Sequence, residues 1–254
     1  MPLSATAVPV SEILPWREQY RQEQQGQIVH DSLHGRKGWT QSYLLAIDGV
    51  AAGYGAVALA GPWKGTQTVF EFHLAAQHRG RASELFEVFL RTSAATHFEI
   101  QTRDELLTDQ TRRWTETLAV DRIVFRDQVT TTLPAQGAIF RRAEPKDSAR
   151  LFDHHHEPAG DWILELDGTV IATGGILYHY NPPHGDIYME VAALFRRRGF
   201  GAYLVQELKR VCREDGNVPC ARCHPDNFAS QQTIQKAGLV PWARILTGPI
   251  APRR

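Results

Sequence analysis

Arg196-Arg197-Arg198-Gly199-Phe200-Gly201-Ala202 stands between a strand-like run ending near Ala192 and an amphipathic helix. Glycine lets a backbone turn tightly and approach a ligand closely. The first N–H groups of a helix lack internal acceptors and lie at the positive end of its dipole, so such a loop suits an anion. Three guanidinium groups add fixed charge matched to phosphate oxygens. Taken alone, the heptapeptide reads equally well as a helix cap beside a solvated basic run.

Two other groupings carry ligand-type side chains. Cys220-Ala221-Arg222-Cys223-His224 has the spacing of covalent haem attachment. On a strand, however, Cys220 and Cys223 point to opposite faces, and haem attachment requires export that nothing here directs. The expectation is structural cysteines and no haem. Asp153-His154-His155-His156-Glu157 holds metal-ligand types, but adjacent histidines diverge and no second ligand set accompanies them. A solvated inter-element segment, with no metal, is expected.

The elements that must position these residues occur twice. Ser42 to Asp48-Gly49 and on to Val57 has a counterpart in Asp161 to Asp167-Gly168 and on to Leu177, and the two Asp-Gly pairs lie 119 positions apart. At that offset Gly55 meets Gly174, Glu71 meets Glu190, Gly80 meets Gly199 and Leu85 meets Leu204. Asp-Gly between apolar runs marks a hairpin, because both turn positions favour positive φ. Each copy continues with a strand (68–74; 186–192), a glycine-containing turn and a helix. Leu85, Phe86, Phe89 and Leu90 carry the helical spacing in the first copy; Leu204, Val205, Leu208, Val211 and Cys212 carry it in the second. A further strand (97–102; 218–223) and helix (105–117; 228–237) follow. The first copy adds an amphipathic helix over 10–25, and the second has only a short equivalent near 148–155. Breaker residues at Leu133-Pro134-Ala135-Gln136-Gly137 suggest units 1–135 and 136–254.

Composition sets the outer limits. With 28 basic and 28 acidic residues in 254, the chain lacks the basic surplus of a nucleic-acid binder. Three cysteines do not make a disulfide scaffold and indicate a reducing compartment. The first ten residues have no signal-peptide pattern, and apolar runs stay far below the ~18–20 residues of a membrane helix. A cytoplasmic protein with no membrane partner is expected.

Extended upstream to Met189-Glu190-Val191, the arginine–glycine string resembles the acetyl-CoA-binding motif of the GNAT superfamily of N-acetyltransferases. That motif has Arg or Gln, two residues, Gly, one residue, then Gly or Ala, with a strand valine eight positions before the first Gly. Arg196, Gly199, Gly201 and Val191 occupy those places. Asn227 with Lys236-Ala237-Gly238-Leu239 is similar to the family's Asn-containing helix, which ends in a Gly-Phe pair eleven positions on. The resemblance implies two tandem α/β units, each a mixed, mostly antiparallel central sheet flanked by helices. It implies that Met189 and Val191 bind the pantetheine arm and thioester through their backbone. Arg196, Arg197, Arg198, Gly199, Phe200, Gly201 and Ala202 would surround the pyrophosphate, and Asn227 would contact the pantetheine. An amine then attacks the acetyl carbonyl directly in a ternary complex.

The sequence departs from the family at its proton donor. Many members place a tyrosine four residues before the Gly of the Gly-Phe pair, where this chain has Ile234; a base found in some members falls on Arg222. Replacements are sought nearby. Strand alternation puts Asp186, Tyr188 and Glu190 on one face. Glu190 is the first candidate base, acting through water, with pairing to an arginine as its alternative. Tyr188 is the candidate acid, with packing as its alternative. The loop Tyr178 to His184, stiffened by Pro182 and Pro183, would present His179, Tyr180, Asn181 and His184 to the acceptor. In the first copy Gln77-His78-Arg79-Gly80-Arg81-Ala82 repeats the motif, yet Glu84 would oppose a diphosphate, so that copy reads as degenerate.

These readings converge on an N-acetyltransferase that moves an acetyl group from acetyl-CoA to a primary amine of a small molecule. The alternative is a non-catalytic acyl-CoA-binding sensor or assembly module, favoured by Ile234.

Overall fold

A strand, a helix and a tight hairpin open the chain: β1 (Leu3–Val8), α1 (Val10–Gln24), β2 (Thr40–Ile47) and β3 (Val50–Ala58). The computed structural model describes residues 2–251. After the hairpin come β4 (Thr68–Leu74), α2 (Ala82–Ser93), β5 (His97–Gln101), α3 (Glu105–Thr111) and β6 (Ala119–Asp127). The second copy repeats the order with β7 (Ile139–Arg142), β8 (Trp162–Leu166), β9 (Thr169–Leu177) and β10 (His184–Val191). It ends with α4 (Phe200–Glu214), β11 (Val218–Cys223), α5 (Phe228–Lys236) and β12 (Leu239–Pro249).

The 119-residue offset is a structural repeat. Asp48-Gly49 turn at φ 50° and 79°, and Asp167-Gly168 at 47° and 76°. The strands after the turns, β3 and β9, both have 9 residues. Even the bulges correspond, falling between Leu45 and Ala46 in one hairpin and between Leu164 and Glu165 in the other.

The linear break at 135/136 is not where the compact units divide. One unit is Met1–Asp121 with Ala243–Arg254, and the other is Arg122–Trp242. The reason is a strand exchange. Ile123–Arg126 of β6 pair antiparallel with β11, whereas Ile245–Pro249 of β12 pair with β5. The last strand of each copy thus completes the sheet of the other. The breaker segment is no free linker either: Leu133 N–H and Thr131 Oγ1 donate to Gln206 of α4 at 2.7 and 2.8 Å.

In the first unit the strand order is β1-β2-β3-β4-β5-β12, antiparallel except for β4 beside β5. Phe72 of β4 meets Phe86 and Phe89 of α2, with the first pair at 4.8 Å between centroids. Each fully buried phenylalanine contributes about 2–3 kcal/mol by leaving water. On the other face Ile13, Arg17 and Tyr20 of α1 are buried. Here Glu71 accepts from Tyr54 Oη and meets His34 Nε2, both at 2.8 Å, with Arg17 at 3.7 Å. Burial raises the Glu71 carboxyl, but His34, Arg17 and Tyr54 outweigh it and hold it at about 2.

Asp104 caps α3 by accepting from Leu107 N–H at 2.9 Å, and it accepts from Tyr20 Oη at 2.9 Å. Burial pushes its carboxyl up to about 7, against the pull of those two donors. A raised acid binds more protons folded than unfolded, so its contribution to stability is full below the unfolded value near 4 and fades as pH rises through about 7. Asp104→Asn keeps the cap acceptor and removes the charge. Chemical denaturation should show the variant gaining about 3–4 kcal/mol relative to wild type at pH 8 against pH 4. A difference that does not change with pH would exclude Asp104 as the titrating group.

The second unit has the matching order β6-β11-β10-β9-β8-β7, antiparallel except for β10 beside β11. Phe200, Leu204, Val205 and Leu208 of α4 pack on Ile187 and Val191 of β10. The expected short helix near 148–155 is instead a 3₁₀ turn over Pro145–Arg150 followed by irregular chain. Likewise α3 stops at Thr111, short of 117.

Candidate functional site

β10 and β11 run side by side for only three register pairs, ending at Asp186 opposite Cys220. β10 continues to Val191 along β9, and β11 turns its far end to β6, so a splay opens between them. Ala192 N–H donates to Ile171 O of β9 at 2.9 Å. Backbone groups alternate in direction along a strand, so those of Met189 and Val191 face the splay. Arg196 Nε donates to Val191 O at 2.9 Å, consistent with that direction.

The loop at the splay's end is tightly curled. Arg197 takes φ 62° and Gly199 takes 90°, so the chain curls before α4 begins. The first N–H groups of α4 and the positive end of its dipole face this loop. Gln136 Nε2 braces the loop by donating to Arg198 O at 2.8 Å. Arg198 lies over the Phe195 and Phe200 rings at 5.4 and 5.3 Å. Gly201 sits where a Cβ would approach Thr233 Cγ2 to 3.1 Å and Val191 Cγ2 to 3.3 Å. Arg196 departs from the expected role: its guanidinium folds back onto Val191 O and onto Glu190 Oε1, at 3.4 Å, and so braces the strand end.

Glu190 is similarly occupied. Its carboxylate accepts from the N–H groups of His155, His156 and Glu157 at 3.1–3.2 Å. Burial pushes the carboxyl up, but those three backbone donors outweigh it and hold it below its ordinary range. The geometry therefore gives Glu190 an anchoring task in place of the base role expected from strand alternation. His154 Nε2 adds a contact to Thr173 Oγ1 at 2.8 Å. The segment 153–157 is thus docked on the sheet, not simply solvated. Glu190→Gln turns an amide N–H2 toward existing donors and should cost about 1–3 kcal/mol. Hydrogen exchange at 155–157 should accelerate in that variant; unchanged protection there would remove the anchoring role.

Tyr188 shares the face of Asp186 and Glu190, but its ring lies across the strand. A Cβ on Gly175, its partner in β9, would fall 2.6 Å from the Tyr188 hydroxyl. The hydroxyl is thus on the side of β10 away from the splay, which disfavours it as the acid. Ile234 is buried among Leu204, Leu208 and Leu239, so its position offers packing and no proton.

Asp186 is the centre of a polar cluster at the start of the splay. Its Oδ2 lies 3.1 Å from His179 Nε2 and 3.3 Å from Arg222 Nε. Tyr180 is buried beside it, its ring 4.6 Å from His179, and burial followed by Asp186 raises its hydroxyl pKa well above the usual value. Asn181 and His184 instead build the loop: Asn181 O accepts from His184 N–H and meets His184 Nδ1, both at 3.1 Å. His184 lines a 370 Å³ pocket with Tyr178, Pro182 and Asn217. Asn227 caps α5, its Oδ1 accepting from Ser230 N–H at 3.0 Å. Cys212, Cys220 and Cys223 are buried free thiols, and burial first of all raises all three. Among the described residues no three metal-ligating side chains cluster.

In the first copy the same places are filled from within. Arg79 donates to Leu74 O at 3.2 Å and pairs with Glu23, and Arg81 pairs with Glu84. Residues 76–81 form a 3₁₀ turn without a positive φ. Gln101 of β5 bonds the backbone of Val29 and Gln27 at 2.6 and 3.0 Å.

The order of strands and helices in this chain recurs in known proteins. Residues 128–239 match the acetyltransferase (GNAT) family. Three solved structures align along nearly the whole chain. A GNAT-family acetyltransferase from Colwellia psychrerythraea has 12% identity, covers 97% of this chain and 99% of its own, and gives a TM-score of 0.72. A GCN5-related N-acetyltransferase from Sphaerobacter thermophilus has 15% identity, 99% and 97% coverage, and a TM-score of 0.59. A tandem GNAT protein from the clavulanic acid biosynthesis pathway has 12% identity, covers 100% of both chains, and gives 0.58. No curated protein matches significantly. The segment 128–239 thus matches the GNAT family model, and the chain as a whole shares the fold of these GNAT proteins, the tandem one included. No helix among the described residues is long and apolar enough to cross a membrane.

Proposed function

We propose that the second unit transfers an acetyl group from acetyl-CoA to a primary amine of a small molecule by direct attack in a ternary complex. The observation that carries this reading is the splay between β10 and β11, opening beside the curled Arg197–Gly199 loop. Backbone groups of Met189 and Val191 meet the pantetheine and thioester. N–H groups from Gly199 to Ala202 hold the pyrophosphate, with Arg197 and Arg198 flanking it and Phe200 fixing the helix in the core. The amide nitrogen of Asn227 is the part of that side chain left outside the cap for a pantetheine carbonyl. His179 and Tyr180, set by Asp186, contact the acceptor, and Asn181 and His184 shape the loop that carries them. The first copy, its arginines paired internally, supports the second without binding a cofactor. Buried free thiols suit a cytoplasmic protein.

The test is thiol release with acetyl-CoA against a panel of amino acids, polyamines and aminoglycoside-type amines, alongside calorimetry. Release with at least one amine supports the reading. Tight acetyl-CoA binding without turnover of any amine favours the second reading, a non-catalytic acyl-CoA-binding module, which the buried Ile234 at the usual acid position supports.

A further inference from the structure

We infer that His179 is the general base that takes the proton from the acceptor ammonium, with Asp186 as its positioning residue; the assignment rests on the acetyl-transfer reading above. The two arms of the splay part at Asp186, the last residue of β10 in register with β11, opposite Cys220. Two residues further along β11, Arg222 already pairs with Val124 of β6. Asp186 Oδ2 nonetheless lies 3.3 Å from Arg222 Nε, so the carboxylate reaches from one arm of the fork to the other. His179, carried in by the loop between β9 and β10, sets Nε2 3.1 Å from the same oxygen. The imidazole therefore stands at the closed end of the splay, against a group that spans both strands.

The pair is arranged for proton removal. A carboxylate beside Nε2 favours the tautomer with hydrogen on that nitrogen, which leaves the Nδ1 lone pair as the proton acceptor. The same carboxylate stabilises the imidazolium once the proton arrives. Nε2 is buried while the side chain as a whole is 21% exposed, so the ring has an inner edge on Asp186 and an outer edge that an acceptor can meet. Tyr180 packs edge-on against it, 4.6 Å between centroids, and fixes its tilt. The charged and titratable groups facing the ring are Asp186 of β10, Arg222 of β11 across the shared oxygen, and Tyr180 of its own loop. Neighbouring candidates are committed elsewhere. Asp186 is 5% exposed between His179 and Arg222, Glu190 holds three backbone N–H groups, and His184 turns Nδ1 onto Asn181 O.

Met189, whose backbone meets the thioester in the reading above, stands three positions beyond Asp186, about 10 Å along a strand. An amine seated at the thioester and one bridging water span that length. The ammonium R–NH₃⁺ gives a proton to the water as the water gives one to Nδ1, leaving R–NH₂ and an imidazolium. The nitrogen lone pair forms the C–N bond to the acetyl carbon, the C–S bond breaks, and CoA leaves as a thiolate. The second nitrogen proton passes to solvent as the amide forms, water protonates the thiolate, and the imidazolium returns its proton to solvent.

Two measurements test this. Long-range ¹H–¹⁵N spectra of the cofactor-free protein should show neutral His179, assigned by the signal lost in His179→Gln, as the Nε2–H tautomer. The Nδ1–H tautomer there overturns the assignment whatever the protein acetylates. Asp186→Asn should populate that second tautomer and lower kcat/KM at least about 10-fold; an unaltered tautomer and rate remove its positioning task. With an amine that the wild type acetylates, His179→Gln should lower kcat/KM about 100-fold or more and flatten its acidic limb, with acetyl-CoA affinity kept. Free imidazole should restore part of the rate in His179→Ala. Turnover by wild type with an unaltered pH profile in His179→Gln removes His179 and leaves acetyl transfer standing. Wild type that turns over no amine removes both.

Discussion

Replacing Gly201 with valine should weaken acetyl-CoA binding by at least about 100-fold, equivalent to about 2.7 kcal/mol. The glycine lies in the first turn of α4, where a Cβ would already crowd Thr233 of α5 and Val191 of β10. Branched γ carbons have no space there, so the helix start must move away from the strand. That shift misaligns the N–H groups around the Arg197–Gly199 curl at the same moment as it opens the end of the splay. Overpacking of this kind also costs about 1–3 kcal/mol of stability, so calorimetry is run well below the variant's Tm. Affinity within threefold of wild type would show that the loop does not hold the cofactor. Gly201→Ala should have a smaller effect, since Thr233 and Val191 need give only a few tenths of an ångström.

The second large effect falls far from the substituted residue in sequence. Ile245→Asp should destabilise the first unit by about 3–5 kcal/mol, because an unpaired carboxylate is set in a buried site. Ile245 is 1% exposed and pairs with Gln101 of β5. In hydrogen exchange the amides of 97–101 should lose protection, while those of β9, β10 and α4 keep theirs. Loss confined to β10 and α4 would contradict the exchange of β6 and β12. A simple break at 135/136 would assign residue 245 to the second unit and reverse this result.

The repeat was legible because its markers are conformational requirements. Asp-Gly pairs 119 residues apart demand the same left-handed turn, and the flanking apolar alternation admits one register. The curled loop was legible for the same reason. What escaped was partner choice. β6 and β12 carry similar patterns, and nothing in either strand names the sheet it joins. Lys209 was missed because lysine on an amphipathic helix reads as solvent-facing. Its Nζ in fact donates to Val129 O and Ala237 O at 2.7 and 2.6 Å and pairs with Asp127 at 2.8 Å.

The polar site was only half legible. Alternation put Asp186, Tyr188 and Glu190 on the correct face of β10, which is a property of the strand alone. What each side chain does depends on neighbours brought by other elements. Glu190 is captured by backbone N–H groups, which leave no mark in residue types, and Tyr188 leans over Gly175 because that partner has no side chain to stop it. Glu157 drew attention only as part of a histidine-rich run, and its relation to β10 rests on a loop whose path no periodicity specifies.

The unit made of Arg122–Trp242 is one unbroken stretch, enclosed in sequence by the two pieces of the other. On a ribosome this reverses the usual N-terminal-first order of domain completion. Every residue of the enclosed unit emerges before the N-terminal unit receives its final strand. The enclosed unit can therefore mature while its predecessor waits with the edge of β5 uncovered. A nascent chain stalled just after Trp242 would carry the finished enclosed unit joined to an unfinished neighbour, and residues 245–249 then close the sheet of the segment that was made first.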